Sequence, residues 1–513
     1  MSRFRGFLLS VVSGYASILA NTLFTLASIP LALRYLTNEE FGVWALTTQV
    51  VLYLNTIDLG MGSAIARLLI DAKDEKTADG YASVVATSWV VQLLQAVGIL
   101  VLGGLFAWAG SGLFPISASL SPDFRLLVLL QTVILAFQFT VSIHGNLLSA
   151  HQRLYVVNWS QVAHFIVAYG VLLFAFARGM GLISMVVAAG AATLVGSCLR
   201  LIACLRLGLL PPRLLRQPFS KSVFRNIYRL GLDTYLAVLG SQLIMASQTL
   251  VLSFAVGVTT AAVWSIATRP FLMAGQLVWR FFDSSMPALA EMMARREVAR
   301  LQVRFEDLNK ITGLLGVAAG AMLIAVNQPF LAIWTHGRIQ WGLQNDILLA
   351  FWLLALSVTH SYSAYILATK QLGFLRFIFF AEGIASVTLG YVAARWGGMT
   401  GLLASSLLCT LCFHGLYVLR RTAAIMGVPW REVTLRWQSG TVRAALLLFP
   451  LAMALNRLLH AVGPALHLAL AALGIGGGLA VLGWRLARHG LADPTLVARL
   501  WQRLPRTPTA GLT

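Results

Sequence analysis

The chain has 513 residues, of which 58% are hydrophobic and only 11% are charged, and its formal net charge is +20. This composition is far more apolar than that of a soluble globular domain, so it excludes a soluble enzyme and predicts an all-α, polytopic membrane protein. The excess of positive charge would also suit a nucleic-acid-binding protein, and the positions of the charges decide between the two.

Apolar runs long enough to cross a bilayer as a helix, roughly 20 residues each, recur along the whole chain. We predict about 14 transmembrane helices from these runs, joined by short loops. The predicted spans are residues 8–33, 41–68, 82–109, 126–149, 155–177, 180–205, 227–256, 258–287, 310–334, 346–369, 373–394, 398–419, 442–462 and 465–486.

The basic residues follow these spans. If the N-terminus is cytoplasmic and the spans alternate, cytoplasmic segments contain 29 of the 38 Lys and Arg residues and outer segments contain 6. This bias is the positive-inside rule, so the charge reflects orientation and contact with anionic membrane lipids. We therefore predict that both termini are cytoplasmic and that the protein has no nucleic-acid partner.

The first two spans carry polar side chains at membrane depth. In the first, a stripe of hydroxyl and amide groups that includes Asn21 serves either tight helix packing or a hydrated cavity wall. In the second, Asn55 and Asp58 lie on one side, and Asp58 lacks a local cation, so we expect its partner on another helix. Arg67, near the cytoplasmic end, is typical of a positive-inside anchor.

The eighth span has the most polar face. Arg269, Gln276, Arg280 and Asp283 are separated by 7, 4 and 3 residues, which places them on one side of a helix. Arg280 and Asp283 are spaced to pair with each other at the interface, or to face a cavity. Arg269 has no local partner near mid-bilayer, so we expect it to face a hydrated cavity. Glu382, in the eleventh span, is another deep acid and a candidate for ion coupling.

Segments of the first half return in the second at an offset of about 220 residues. Residues 43–48 (VWALTT) return as 263–268 (VWSIAT), and two further matches follow in the same order at offsets of 219 and 220. Six spans separate the copies, so both have the same orientation, and we predict two six-helix lobes in parallel repeat plus two C-terminal helices. The predicted boundaries are 1–217, 218–430, 431–490 for the extra pair, and 491–513 for a cytoplasmic tail.

Motifs for catalysis are missing from the sequence. It has no Walker loop, HExxH, GxSxG or extramembrane carboxylate pair. We therefore expect no catalytic residue, metal or cofactor.

The segment from Thr37 to Arg67 resembles a known family. Phe41-Gly42-Val43-Trp44, then Asp58-Leu59-Gly60, then Arg67, is similar to the second-helix signature of the polysaccharide transporter family. These are O-antigen and exopolysaccharide-repeat flippases of the multidrug/oligosaccharidyl-lipid/polysaccharide exporter superfamily. The resemblance implies alternating access around a central cavity and an undecaprenyl-diphosphate-linked oligosaccharide as cargo. The fourteen-span layout is similar to that of the lipid II flippases, which implies that cavity arginines meet the diphosphate.

These expectations combine into one hypothesis for function. Arg269 and Arg280, with Gln276 and Asp283, form the diphosphate site, and Asn21, Asn55, Asp58 and Arg67 of the first two spans accommodate sugar. Asp58 and Glu382 are the ion-coupling candidates, with a proton or sodium gradient as the driving force. The resemblance further implies a bacterial inner membrane location, a role in lipopolysaccharide or exopolysaccharide biosynthesis, and polymerase or export machinery as partners.

Two other functions stay open from the sequence. A multidrug or toxic-cation antiporter of the same superfamily would share the repeat, but its cargo calls for acidic cavity residues, and the deep acids here are sparse. A membrane-embedded glycosyltransferase or polymerase would need large extramembrane loops with acids or histidines, and the longest outer loop, residues 110–123, has only Asp123.

Overall fold

The computed structural model describes residues 3–72, 78–114, 116–211, 219–283, 297–369 and 373–488, with a few single positions between 285 and 293. The predicted tail 491–513 lies outside these residues. The described chain is helical, as predicted, and its first ten helices are α1 (Arg3–Tyr35), α2 (Asn38–Leu54), α3 (Met61–Ala72), α4 (Ala78–Ala109), α5 (Ser121–Ala150), α6 (Leu154–Ala177), α7 (Ile183–Arg206), α8 (Lys221–Ala246), α9 (Gln248–Ala255) and α10 (Val258–Ala267).

The remaining helices include the longest uninterrupted one, of 37 residues. They are α11 (Arg269–Asp283), α12 (Val298–Trp334), α13 (Leu343–Thr369), α14 (Leu375–Thr410), α15 (Leu416–Met426), α16 (Ser439–Leu459) and α17 (Pro464–Arg488). Among the described residues, 9 helical segments are long and apolar enough to cross a membrane, or 10 if a pair bent by 49° at Ser247 is one span. The protein is therefore a multi-pass membrane protein, and each predicted apolar run is mostly helical in the residues that the structure describes.

Three of the predicted spans are broken, which the hydropathy pattern does not reveal. The second is interrupted at Leu59 and Gly60, both with positive φ, and the seventh bends between α8 and α9. The eighth is interrupted at Thr268, where α10 ends and Pro270 occupies the first turn of α11. Proline lacks an N–H and suits the start of a helix, so it favours a break at this position. Conversely, the eleventh and twelfth spans join in α14 across a kink at Gly398.

The chain divides into two compact units. Unit 1 contains residues 1–269, 334–341 and 370–418, and unit 2 contains residues 270–333, 342–369 and 419–513. A large apolar core of unit 1 joins α3, α4 and α5 through side chains such as Ile65, Val85 and Leu147. The core of unit 2 joins α12, α13, α16 and α17. The lobe boundary at residue 217 stays a prediction.

Within unit 1, the second helices of the two sequence repeats pack against each other. A Cβ atom at Gly42 of α2 would lie only 2.3 Å from the carbonyl oxygen of Val258, at the start of α10. Only glycine permits this approach, because a side-chain atom cannot come so close to a backbone oxygen. The helices that contain the two matching sequence segments, α2 and α10, thus cross in direct contact.

Candidate functional site

Unit 1 contains an open cavity of about 620 Å³ that is lined by many polar residues. Its walls come from the break after α2 and from α4 to α8, and 6 of the side chains are carboxamides. The lining residues are Asn55, Thr56, Asp58, Leu59, Gly60, Gly62, Gln92, Gln138, Phe139, Ser142, Asn146, Gln161, Arg200, Tyr235, Val238 and Gln242. Such a volume is within the range of small-molecule and cofactor sites.

The break between α2 and α3 is fixed by surrounding groups. The amide of Gln95 on α4 donates to the backbone carbonyl of Asp58 at 3.0 Å. Helix α8 crosses so closely that a Cβ at Gly231 would lie 2.7 Å from the carbonyl oxygen of Leu59. Irregular backbone is tolerated at membrane depth only where protein buries it or a hydrated cavity adjoins it. The irregular backbone of this break can therefore exist at membrane depth because other helices cover it and the cavity adjoins it.

Asp58 has a structural partner at this break. Both of its carboxylate oxygens accept the backbone N–H of Gly62, at 3.0 and 3.2 Å, in the first turn of α3. A carboxylate in this place satisfies a free donor and complements the helix dipole. Asp58 thus caps α3 while it lines the cavity, together with the predicted residue Asn55.

Arg200 is the cavity's cation, and the sequence analysis did not single it out. Its Nε donates to the carbonyl oxygen of Gly196, one turn earlier on α7, at 3.1 Å. Its two terminal nitrogens lie near Gly145 and Gly196, where a Cβ atom would be 3.7 and 3.8 Å away. In the part of the chain that the structure describes, no carboxylate forms an ion pair with it.

The cations that the sequence analysis predicted do not line this cavity. Arg269 is exposed as the first residue of α11 and the last of unit 1, and Arg67 is exposed on α3. Asn21 is exposed on α1, whereas Ser13 of the same polar stripe is buried and accepts a hydrogen bond from Asn158 of α6 at 3.0 Å. Part of the stripe therefore serves helix packing, and Asn21 is available for another contact.

Unit 2 contains the rest of the predicted diphosphate face. Gln276, Arg280 and Asp283 are all exposed on α11. Asp283 accepts a hydrogen bond from Nε2 of His360 on α13 at 2.8 Å. Arg280 has no ion pair among the described residues, so its guanidinium is available to an anionic group.

Glu382, the remaining candidate, is completely buried in α14 of unit 1. Its carboxyl group lies beside the Thr410 side chain and the backbone of His414. A turn of π-helix, Leu411–Gly415, begins directly after Thr410. Turns of this kind frequently accompany functional sites.

Sequence reasoning missed most of the cavity's polar residues. Gln92, Gln138 and Gln161 fall within predicted spans three to five, and intramembrane amides are a weaker signal than charges. Arg200 lies near the cytoplasmic end of the sixth span, where it resembles an orientation signal. Weighing amides together with charges would have identified α4, α5 and α6 as cavity walls.

Comparison with known proteins gives a family and a fold. The profile of the family described as "Polysaccharide biosynthesis protein" matches residues 8–293, which is more than half of the chain. None of the curated proteins matches the sequence.

Solved structures share the fold at low sequence identity. A lipid II flippase MurJ in an inward closed conformation has a TM-score of 0.73 and 13% identity, over 94% of this chain and 100% of that chain. An inward-facing MATE family transporter, described as a multidrug resistance protein of the MOP superfamily, has a TM-score of 0.67 and 16% identity, over 79% and 95%. A MOP superfamily transporter from Pyrococcus furiosus, described as having a binding pocket of reversed polarity, has a TM-score of 0.57 and 16% identity, over 82% and 96%.

Proposed function

The chain belongs to the polysaccharide biosynthesis protein family and has the MurJ- and MATE-like transporter fold, and from this premise we propose that it is a lipid-linked oligosaccharide flippase. It moves an undecaprenyl-diphosphate-linked oligosaccharide from the cytoplasmic to the outer leaflet by alternating access. The family and fold indicate a transporter and not a catalytic enzyme. The translocated oligosaccharide is then used in lipopolysaccharide or exopolysaccharide biosynthesis.

The observation that carries this proposal is the amide-rich cavity of unit 1. Carboxamides both donate and accept hydrogen bonds, so they suit the hydroxyl groups of a sugar, which do the same. The 6 carboxamides are joined by Ser142, Tyr235 and Phe139, and aromatic rings provide a surface for the apolar faces of pyranoses. The lining has one acid, Asp58, and one cation, Arg200, so its formal charges offset each other and its carboxamides favour a hydroxyl-rich cargo.

The diphosphate is assigned to arginines of α11. Arg269, Gln276 and Arg280 are exposed, and a guanidinium binds phosphate oxygens through two parallel hydrogen bonds. Lysine would offer only a point charge. We propose that Arg269 and Arg280 hold the diphosphate while the prenyl chain stays in lipid, and that Asn21, Arg67 and Asp283 contact the cargo at other stages of the cycle.

A proton or sodium gradient drives the cycle in this proposal. Asp58 and Glu382 are the candidate acids for ion uptake, because both belong to unit 1, Asp58 lines the cavity and Glu382 is fully buried. The protein operates in a bacterial inner membrane with both termini cytoplasmic, and it delivers cargo to polymerase or export machinery.

The second candidate is a multidrug or toxic-cation antiporter, which the likeness to MATE transporters favours. Against it, the cavity lining contains one cation, Arg200, as well as its one acid, Asp58. A cationic drug gains little in such a cavity, because attraction to Asp58 is offset by repulsion from Arg200.

Reconstitution tests the proposal directly. Proteoliposomes are loaded with a fluorescent undecaprenyl-diphosphate-linked oligosaccharide, and its appearance in the other leaflet is followed by quenching. We expect translocation by the wild type, its loss in Arg269→Ala, and wild-type rates in Arg395→Ala, a control that removes another exposed arginine. Efflux of a cationic dye without oligosaccharide translocation would support the antiporter, and full activity of inserted Arg269→Ala would contradict the diphosphate assignment.

A further inference from the structure

Helix α1 contains a backbone carbonyl that the helix itself cannot satisfy. Pro30 lies inside α1 and has no N–H, so the carbonyl oxygen of Leu26, four residues earlier, lacks its helical donor. Nε1 of Trp334 donates a hydrogen bond to this oxygen at 2.8 Å. Since a buried carbonyl without a donor is costly in a membrane, the indole of Trp334 replaces the N–H that Pro30 lacks.

A second donor reaches a carbonyl at the end of the same helix. Helix α1 ends at Tyr35, and Leu36 follows it directly, in the region where a helix leaves its carbonyls without internal partners. A terminal guanidinium nitrogen of Arg338 donates to the carbonyl oxygen of Leu36 at 3.2 Å. Trp334 and Arg338, four residues apart, therefore hold the second half of α1 at two points.

The two donors belong to one short segment, residues 334–341, which we call the outer strap. The hydroxyl oxygen of Thr335 accepts the backbone N–H of Ile339 at 3.3 Å, and both side chains are buried. The ring of Trp341 lies 6.3 Å from that of Trp264 on α10. The strap is part of unit 1, yet it joins α12 to α13, whose other residues belong to unit 2. It is therefore the covalent link between these contacts on α1 and two helices of unit 2.

We propose that Trp334 and Arg338 form a latch that holds the outer half of α1 in place while the cavity of unit 1 is open toward the cytoplasm, and that cargo leaves on the outer side only after this latch releases. The inference rests on the proposed function and its orientation. In that orientation α5 begins on the outer side at Ser121, and the cavity residues Ser142 and Asn146 lie near its cytoplasmic end. The outer strap follows the outer end of α12, on the opposite side from the cavity.

The chemistry of the Leu26 carbonyl suits a bond that opens and closes. Carbonyls that a proline frees in a membrane helix are satisfied either by groups of neighbouring helices or by water. Because water replaces Trp334 as the donor when an outer passage fills, release leaves no unsatisfied group. A backbone N–H of the helix offers no such exchange, since breaking its bond unwinds the helix. The two latch bonds therefore favour the outward-closed arrangement without making it permanent.

The test uses the whole protein without cargo. The reporter is Ser142→Cys, at a position that lines the cavity, in a chain whose four cysteines are replaced by alanine. A membrane-impermeant thiol reagent is added outside right-side-out vesicles, and hydrogen exchange of the strap and α1 amides is measured in nanodiscs. The latch variants are Trp334→Phe, which keeps an aromatic ring without the N–H, and Arg338→Met, which keeps the apolar stem without donors. We expect both to raise the labelling and exchange rates by about 2- to 10-fold, the range for loss of one hydrogen bond.

Two matched controls make the same changes elsewhere. Trp396→Phe alters an indole that is 90% exposed, and Arg178→Met removes another exposed arginine, so both should behave as wild type. Unchanged labelling in the two latch variants overturns the proposal. So does faster exchange that extends to the core of α3, α4 and α5, which would make Trp334 and Arg338 structural residues. If the latch variants respond as expected but the wild type fails to translocate lipid-linked cargo, the proposed function is contradicted and the latch stands.

Discussion

In unit 2, the imidazole Nε2 of His360 lies 2.8 Å from a carboxylate oxygen of Asp283, and the ring of Trp279 stacks on the same imidazole with 5.4 Å between centroids. This contact joins α11 to α13 across 77 residues of sequence. Asp283 therefore has His360 as its partner, and Arg280, one turn away on α11, has no ion pair among the described residues. The polar face of α11 therefore keeps an exposed guanidinium free for cargo.

The His360–Asp283 contact should contribute little to stability. The two side chains are 33% and 48% exposed, and exposed pairs contribute about 0.2–1 kcal/mol because water and salt screen them. We expect Asp283→Asn and His360→Gln each to lower the melting temperature in detergent slightly, with a double mutant no worse than the poorer single one. A double-mutant cycle measures this, and additive losses would show that the two side chains act independently.

The crossing of α2 and α10 should tolerate substitution much less well. A methyl group at Gly42 would meet the Val258 carbonyl at 2.3 Å, and relieving such overpacking costs about 1–3 kcal/mol. We expect Gly42→Ala to lower the melting temperature and the yield of folded protein. Gly170→Ala on α6 is the matched control, because a Cβ there meets nothing within 4 Å, and it should melt at or above the wild-type temperature. Equal melting of Gly42→Ala and wild type would exclude a tight crossing.

The cavity's carboxamides should affect cargo binding more than stability. Truncating Gln161 or Asn146 to alanine removes hydrogen bonds to sugar hydroxyls, each worth about 0.5–1.5 kcal/mol, so the KM for oligosaccharide translocation should rise by about 2- to 10-fold. Gln344→Ala, which removes an exposed amide from α13, should leave KM unchanged. If the two cavity variants translocate the oligosaccharide with the same KM as the wild type and the control, the cavity is not the sugar site.

Hydropathy was sufficient to predict the helices because a bilayer demands long apolar segments, and nearly every span shows this in its composition. The breaks were not predictable in the same way. The break at Leu59 is held by residues of other helices: Gln95 donates to the carbonyls of Ile57 and Asp58, and Gly231 packs against the carbonyl of Leu59. Pro270 is the exception, since its sequence position alone favours the end of α10.

The polar residues also differ in whether the sequence alone could connect them to a site. Asn55 and Asp58 could be connected to a cavity from sequence, because polar groups at membrane depth are costly and need a hydrated or paired environment. Arg200 could not, since its depth depends on how α7 packs against α5 and α6. The partner of Asp283 was also hidden, because His360 lies on a different helix, 77 residues away in sequence.

Glu382 offers a test of ion coupling that is independent of the cavity. It is completely buried where α8 and α14 cross so tightly that a Cβ at Gly383 would lie 2.7 Å from the Leu243 Cβ. An ionised carboxylate is costly in such a place, so its charge state should follow ion uptake and release. Glu382→Gln keeps the shape and removes the titratable group; we expect it to translocate cargo without acceleration by an imposed proton or sodium gradient. The control Glu297→Gln, which removes an acid paired with Arg300 at the surface, should still respond to the gradient. Gradient-driven translocation by proteoliposomes measures both, and a full response in Glu382→Gln would rule Glu382 out as the coupling residue and leave Asp58 as the candidate.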